Sequence, residues 1–248
     1  MNFIDAILKL IYPDKCMFCN RITGKNDGEF ICDDCKSTVE FCKDFKCCTR
    51  CGKPHISLGE NETCYICLTK TYRSYKRATA VVKYNEKTSA GIKRYKDGNG
   101  EIIGEVMAHL MAERVKDVYR GTSFDLIVGV ASNDKRTIRR GFDPVSVIAK
   151  SLGRELDVPY KEGYLIKIKK TKKQSELDYS HRIRNLIGTI GLKEGIDIKG
   201  KRILLVDDVM TTGATLEECS YVLKKGGARE VYAVTFATRT KEPRKFKK

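Results

Sequence analysis

Eight cysteines stand in two copies of one spacing, and this limits the folding of the 248-residue chain more than any other feature. Cys16, Cys19, Cys32 and Cys35 form a C-x2-C, twelve residues, C-x2-C unit. Cys48, Cys51, Cys64 and Cys67 repeat it, displaced by 32 residues at all four positions. Thiolates are zinc ligands; a C-x2-C turn grips one ion with two sulfurs, and two turns complete a tetrahedron. With cysteine at every position the sites are closed and structural. Each unit is too short for a hydrophobic core, so metal binding supplies its folding free energy. The sequential assignment puts one zinc in each repeat. A cross-braced arrangement pairing Cys16/Cys19 with Cys48/Cys51 is the alternative. A redox role would not need four C-x2-C copies. Gly52 follows Cys51, where a knuckle backbone must turn sharply.

Ten of the eleven cysteines precede residue 68. An odd count without an export signal argues against a disulfide framework. Cys42 and Cys47 read as bystanders or alternative ligands, and Cys219 as a small buried side chain within a helix. Hydrophobic residues make up 41% of the chain, enough for a core, and the formal net charge is +16. Through Lys76 there are 12 basic and 10 acidic residues, leaving 36 basic and 22 acidic beyond it. The excess positive charge therefore lies outside the cysteine module. It suits a polyanionic partner or phosphate-bearing ligands; a solvated lysine-rich surface is the plain alternative.

No apolar run approaches a membrane span. Phe3, Ile4, Ile7, Leu8 and Ile11 have helical spacing, but Asp5 and Lys9 interrupt them, so Met1–Ile11 reads as a short helix and not a signal peptide. A cytoplasmic protein is expected. Its domain boundary falls near residues 70–76, giving an N-terminal helix and double zinc ribbon over 1–72 and a second domain over 73–248.

Beyond the boundary, strands and helices alternate. Strands are expected at Ala78–Tyr84, Phe124–Val130, Tyr164–Ile168 and Arg202–Val206, with an extended stretch over Asn185–Leu192. Helices are expected at Glu101–Val118, with Ile102, Val106, Leu110 and Val118 on the apolar face, at Asp143–Leu156, and at Leu216–Lys225, stopped by Gly226-Gly227. Arg202–Val206 is uniformly apolar and reads as a central strand; Glu230–Ala237 is expected to close the sheet. The order implies an α/β fold with a parallel sheet flanked by helices, whose ligands sit at the carboxyl ends of the strands.

The segment RILLVDDVMTTGAT, Arg202 to Thr215, carries the chemistry. An apolar strand delivers two adjacent acids, and a Thr/Gly loop then opens a helix. Thr211, Thr212, Gly213, Ala214 and Thr215 offer backbone amides and hydroxyls at a helix N-terminus, a cradle for a phosphate dianion. Gly213 lets the backbone come close without a Cβ clash. Asp207 and Asp208 can accept hydrogen bonds from two ribose hydroxyls, and their charge favours a cationic transition state. A metal-dependent phosphotransfer diacid and an ordinary helix cap are the competing readings of the separate parts.

ILLVDDVMTTGAT resembles the 5-phosphoribosyl-1-pyrophosphate (PRPP) motif of type I phosphoribosyltransferases. The whole chain resembles the ComF family, which joins a double zinc ribbon to a phosphoribosyltransferase-like domain. Tyr12-Pro13 before Cys16-Met17-Phe18-Cys19 is similar to that family's opening. KRTIRRGFD, Lys135 to Asp143, and TKKQSELDYSHRIRN, Thr171 to Asn185, are similar to two further family segments. The resemblance implies that Asp207 and Asp208 bind ribose hydroxyls and that Val209 and Thr211–Thr215 surround the 5′-phosphate. It implies that the loop Ala131, Ser132, Asn133 to Lys135 receives pyrophosphate, with Mg2+ bridging pyrophosphate and ribose oxygens. Arg139 and Arg140 are candidates to add charge there. The chain departs from the family in lacking prolines around VGVASND and in reading RGFDP, with Pro144, in place of RGFNQ.

If the protein is an enzyme, a nucleophile displaces pyrophosphate from C1 of PRPP. Mg2+, Lys135 and the arginines then meet the leaving-group charge. No general base announces itself: His109 reads as structural, His55 lies in the zinc module, and His181 is the histidine to test. Little chain follows Ala237 to build an acceptor-binding hood, so residues 160–190 or the zinc module would have to serve. The resemblance also implies a role in competence, with single-stranded DNA and a helicase-like partner. Lys167, Lys169, Lys170, Lys172 and Lys173, beside Tyr164 and Tyr179, suit backbone phosphates and base stacking. A solvated loop over the PRPP site is the alternative.

Overall fold

The computed structural model describes residues 14–23, 30–55, 59, 62–69, 73–98, 100–132, 137–138, 140–168 and 186–240. The expected N-terminal helix lies outside them. In chain order the elements are α1 (Asp33–Thr38), α2 (Tyr65–Thr69), β1 (Arg77–Lys83), α3 (Glu86–Asp97), α4 (Gly100–Val118), β2 (Leu126–Gly129) and α5 (Pro144–Leu156). Then follow β3 (Leu165–Lys167), β4 (Ile190–Leu192), β5 (Arg202–Met210), α6 (Ala214–Lys225) and β6 (Glu230–Thr238).

β1, β6, β5 and β2 form a parallel sheet in that order. β5 is central, as its unbroken apolar run requires. β6 does not close the sheet: it inserts between β1 and β5. Its residues Val231 to Thr238 are all buried, as suits a strand paired on both sides with α4 and α6 packed on it. α4 packs on α5, β1 and β6, while α6 packs on β4, β5 and β6.

The apolar face of α4 differs from the expected one. Ile102 is 60% exposed, whereas Met107, Ala108, Met111, Ala112 and Val115 are buried. Their spacing of one, three and four residues is the stripe of a helix seated in a groove between sheet and helix. Val106, Leu110 and Val118 sit at its margin, partly buried. α3 is an element the apolar pattern did not reveal, because Ile92 and Tyr95, both buried, are its only large apolar residues. Its signal is the N-cap: Asn85 Oδ1 accepts from the Thr88 amide at 3.1 Å, and Thr88 Oγ1 accepts from the Asn85 amide at 2.9 Å. The extended stretch expected from Asn185 is a turn over 186–188 and a strand only from Ile190.

The cysteine module covers the outer edge of β1. Phe41 bridges Val82, the Glu40 carbonyl accepts from the Lys83 amide, and the Arg50 carbonyl accepts from the Ala78 amide, both at 2.9 Å. An open edge strand invites pairing with other chains, and this contact removes it. Gly52 serves both its turn and this contact: its φ is +68°, and a Cβ there would lie 2.3 Å from the Ala78 carbonyl oxygen. The first knuckle goes deeper. Met17 and Phe18 are buried in the main core, Phe18 stacks on Phe236 at 6.3 Å, and Arg94 Nη2 donates to the carbonyls of Met17 and Phe18 at 2.8 and 2.6 Å.

Candidate functional site

Pairing between β2 and β5 stops at Gly129 and Val206, while β5 stays paired to β6 through Met210 and Thr238. The Val130 amide still donates to the Val206 carbonyl at 2.9 Å, and then the chain leaves the sheet. Past that point no described strand pairs with that side of β5, and a cavity of about 290 Å3 opens at the carboxyl ends of the strands.

Asp207, Asp208, Val209, Thr211, Thr212, Gly213, Ala214 and Thr215 all line this cavity, and Ala131, Ser132 and Arg140 face them. Asn133, Lys135 and Arg139 lie outside the described residues, as does His181. Lys167, read as a DNA contact, lines the same cavity; Lys169, Lys170, Lys172 and Lys173 lie outside the described residues. The antiparallel β3–β4 pair joins the two flanks of that basic segment, and Leu186 and Ile187 on the far flank lie against Thr212, Gly213 and Ala214. Ile168 donates to the Thr189 carbonyl at 2.9 Å, and the Gly188 amide donates to Glu218 Oε1 on α6 at 2.7 Å.

β5 turns its two acids into different surroundings. Burial, and next the charge of Asp208, push the Asp207 carboxyl up to about 8, with Lys96 opposing the shift. Asp207 Oδ1 accepts from the Asp208 amide at 2.8 Å. Asp208 is 9% exposed and forms an ion pair with the ammonium of Lys96 on α3. A third acid, Asp143, lines the cavity and caps α5: its Oδ1 accepts from the Val145 amide at 3.1 Å and its Oδ2 from Ser146 Oγ at 3.0 Å. Burial pushes its carboxyl up, against those hydrogen bonds.

Sequence reasoning missed Lys96 and assigned no site role to Asp143. The Lys96 position carries no local signal, because only the packing of α3 brings it to the diacid.

The loop enters α6 through Gly213, at φ +81°, with no side-chain cap on the helix. Thr212 Oγ1 accepts from the Ala214 amide at 3.2 Å. A Cβ on Gly213 would meet nothing closer than Met210 Sδ at 3.8 Å. Within the protein, glycine is needed there for its left-handed backbone and not for space.

Each cysteine quartet gathers its four sulfurs within 4.8 Å of one another, Cys16/Cys19/Cys32/Cys35 in one and Cys48/Cys51/Cys64/Cys67 in the other. The pairing is sequential, not cross-braced. Cys19 and Cys32 sulfurs are 3.6 Å apart and Cys51 and Cys64 sulfurs 3.8 Å. A tetrahedron with zinc–sulfur bonds of about 2.3 Å has edges of about 3.8 Å, so both quartets fit structural Zn2+. The amides of Cys51 and Cys64 donate to Cys48 Sγ at 3.5 and 3.3 Å, which favours the thiolate. Cys42 and Cys47 stand outside both groups, the Cys47 thiol donating to the Cys42 carbonyl at 3.2 Å. Cys219 is fully buried in α6. His109 is a surface residue beside Glu155, at 3.2 Å.

Comparison with known proteins places these features together. A family model described as Phosphoribosyl transferase domain matches residues 98–248, and one described as Double zinc ribbon domain matches residues 7–68. Competence protein F of Haemophilus influenzae is 30% identical over 223 residues, covering 88% of this chain and 93% of that protein. Competence protein ComFC of Streptococcus pneumoniae is 27% identical over 229 residues, covering 88% and 96%. DNA utilization protein YhgH of Salmonella typhi is 29% identical over 227 residues, covering 90% and 96%.

Proposed function

The chain belongs to the phosphoribosyl transferase domain family, in the ComF group that carries a double zinc ribbon, and from that premise we propose that it binds PRPP and acts in competence or DNA uptake. One observation carries the ligand: the Asp207–Asp208 pair and the 211–215 loop open onto one cavity at the end of β5. Asp207 and Asp208 accept hydrogen bonds from the ribose hydroxyls. The amides at the start of α6 and the hydroxyls of Thr211, Thr212 and Thr215 receive the 5′-phosphate. Pyrophosphate lies toward Ala131, Ser132 and Arg140. Lys96 exchanges its ion pair with Asp208 for the negative charge of the ligand.

Mg2+ suits an oxygen-rich wall holding Asp207, Asp208 and Asp143. Bound with PRPP, it would neutralise pyrophosphate charge. The test is a calorimetric titration of the protein with PRPP and Mg2+; no heat of binding at millimolar ligand rejects the reading.

Proton linkage is a second expectation. A ligand that needs Asp207 ionised lowers its raised carboxyl, so binding releases a proton below about pH 8, and affinity rises with pH up to that point. Titrations in two buffers of different ionisation enthalpy measure the release, which Asp207→Asn removes.

Turnover is a second reading, favoured by the negative charge of the diacid, which would stabilise a cationic sugar ring as pyrophosphate departs. Pyrophosphate release against a panel of nucleobases and amines decides it.

Competence rests on the relatives and on the net charge of +16. No described helix is long and apolar enough to cross a membrane; a cytoplasmic site of action is part of the proposal. A single-stranded oligonucleotide is expected to shift in a gel at low salt, and to lose affinity as salt rises. No shift at low salt would remove direct DNA contact, with or without a helicase partner, from the proposal.

A further inference from the structure

The phosphate loop has a second face, turned away from the cavity and toward the second cysteine quartet. Lys53, two residues after Cys51, donates from its ammonium to the carbonyl of Thr211. The residues are 158 positions apart, so this contact exists only in the folded protein. Lys53 does not line the cavity, whereas Thr211 and Thr212 do. A trans peptide is planar, with its C=O and N–H pointing in opposite directions. A Thr211 carbonyl held toward Lys53 therefore turns the Thr212 amide to the cavity side.

Arg73 reinforces the arrangement. Its side chain is 5% exposed, with Nη1 2.6 Å from the Tyr75 hydroxyl and 3.8 Å from Glu217 Oε2 in the first turn of α6. Glu217 Oε1 also accepts from the Ser74 amide at 2.8 Å. Nη1 comes within 3.9 Å of the place a Cβ on Gly213 would occupy. Lys53 and Arg73 both lie within electrostatic reach of Cys51 and Cys67, while burial and the Arg73 charge act against the Lys53 ammonium. Four thiolates on Zn2+ sum to about −2, and two cations beside them balance that charge. A buried cation without such a counter-charge is strongly unfavourable.

The geometry points to Lys53 as a positioning residue for the phosphate loop, through which the second zinc site presets the Thr211–Thr212 peptide to receive a phosphate. This rests on the phosphate-site reading of the loop, but the coupling itself can be measured without any ligand.

The test compares wild type with Lys53→Met and Lys53→Arg. Zinc per chain is read by elemental analysis, amide exchange over residues 210–216 by mass spectrometry, and affinity for ribose 5-phosphate by calorimetry. In Lys53→Met, zinc stays at about two per chain, loop exchange accelerates, and ribose 5-phosphate binds about 10-fold more weakly, the scale of one charge-assisted hydrogen bond. Lys53→Arg recovers protection and affinity at least in part, which a merely space-filling role would not produce. Unchanged exchange and affinity in Lys53→Met at full zinc content overturn the inference. So does Lys53→Arg behaving no better than Lys53→Met. Should Lys53→Met lose zinc, wild type treated with a chelator decides instead: faster exchange at 210–216 as metal leaves supports the coupling, and no change overturns it. If wild type binds no ribose 5-phosphate, the phosphate-site reading fails and the exchange measurement alone decides the coupling.

Discussion

In the double variant Asp207→Asn/Asp208→Asn, PRPP affinity is expected to fall at least about 100-fold with no loss of fold. Hydrogen bonds to a charged acceptor contribute about 1.5–3 kcal/mol each, and the variant weakens two of them. The substitutions keep the volume of both side chains, so β5 and its pairing with β6 should survive. Stability adds an independent check. The folded Asp207 carboxyl is raised above its unfolded value, so between about pH 4 and about pH 8 the folded state holds more protons than the unfolded one. Stability then declines as pH rises through that window. Asp207→Asn alone, which keeps the Asp208–Lys96 ion pair, removes this cost, so at pH 8 that single variant melts no lower than wild type, and about 2 °C or more higher if the linkage is as large as one kcal/mol. Calorimetric titration and a melting series in pH check the two halves. Retained PRPP affinity would take the diacid out of the binding site; a collapsed melting temperature would make it structural.

Cys51→Ser is expected to have the largest effect on structure. Zinc per chain should fall from about two to about one, and the second quartet should unfold. The two quartets differ in what else supports them. Cys16, Cys32 and Cys35 join the main core along with Met17 and Phe18. The second quartet's own buried cluster consists of its four cysteines, with Ile66 packed against it. Its order therefore depends on metal, whose apparent binding free energy of about 10–16 kcal/mol rivals the whole stability of a domain. Limited proteolysis after chelation should accordingly cut within residues 48–72 before residues 14–40. Cys47→Ala, outside both quartets, should keep both ions. A Cys51→Ser protein with two zincs, or a first quartet that opens earlier, would contradict this account.

Local patterns in the chain were enough for the two quartets, the strand that ends in Asp207 and Asp208, the Thr/Gly loop that opens a helix after it, and the parallel sheet. Each is written in local spacing, apolar runs or helix-start chemistry, repeated along the chain for the quartets and the strands. Tertiary structure alone decided how the pieces meet. It placed β6 inside the sheet, because an apolar strand buried on both faces reads alike at the centre and at the edge, and only the pairing with β1 and β5 distinguishes them. It laid the cysteine module along the edge of β1 and sank Met17 and Phe18 into the core. It brought Lys96 to Asp208 and Lys53 to Thr211 over separations of 112 and 158 residues. Lysine side chains on a chain with 48 basic residues carry no mark of their eventual partner. An ion pair or a hydrogen bond across such separations is set by the packing of whole helices and knuckles, which residue spacing does not encode.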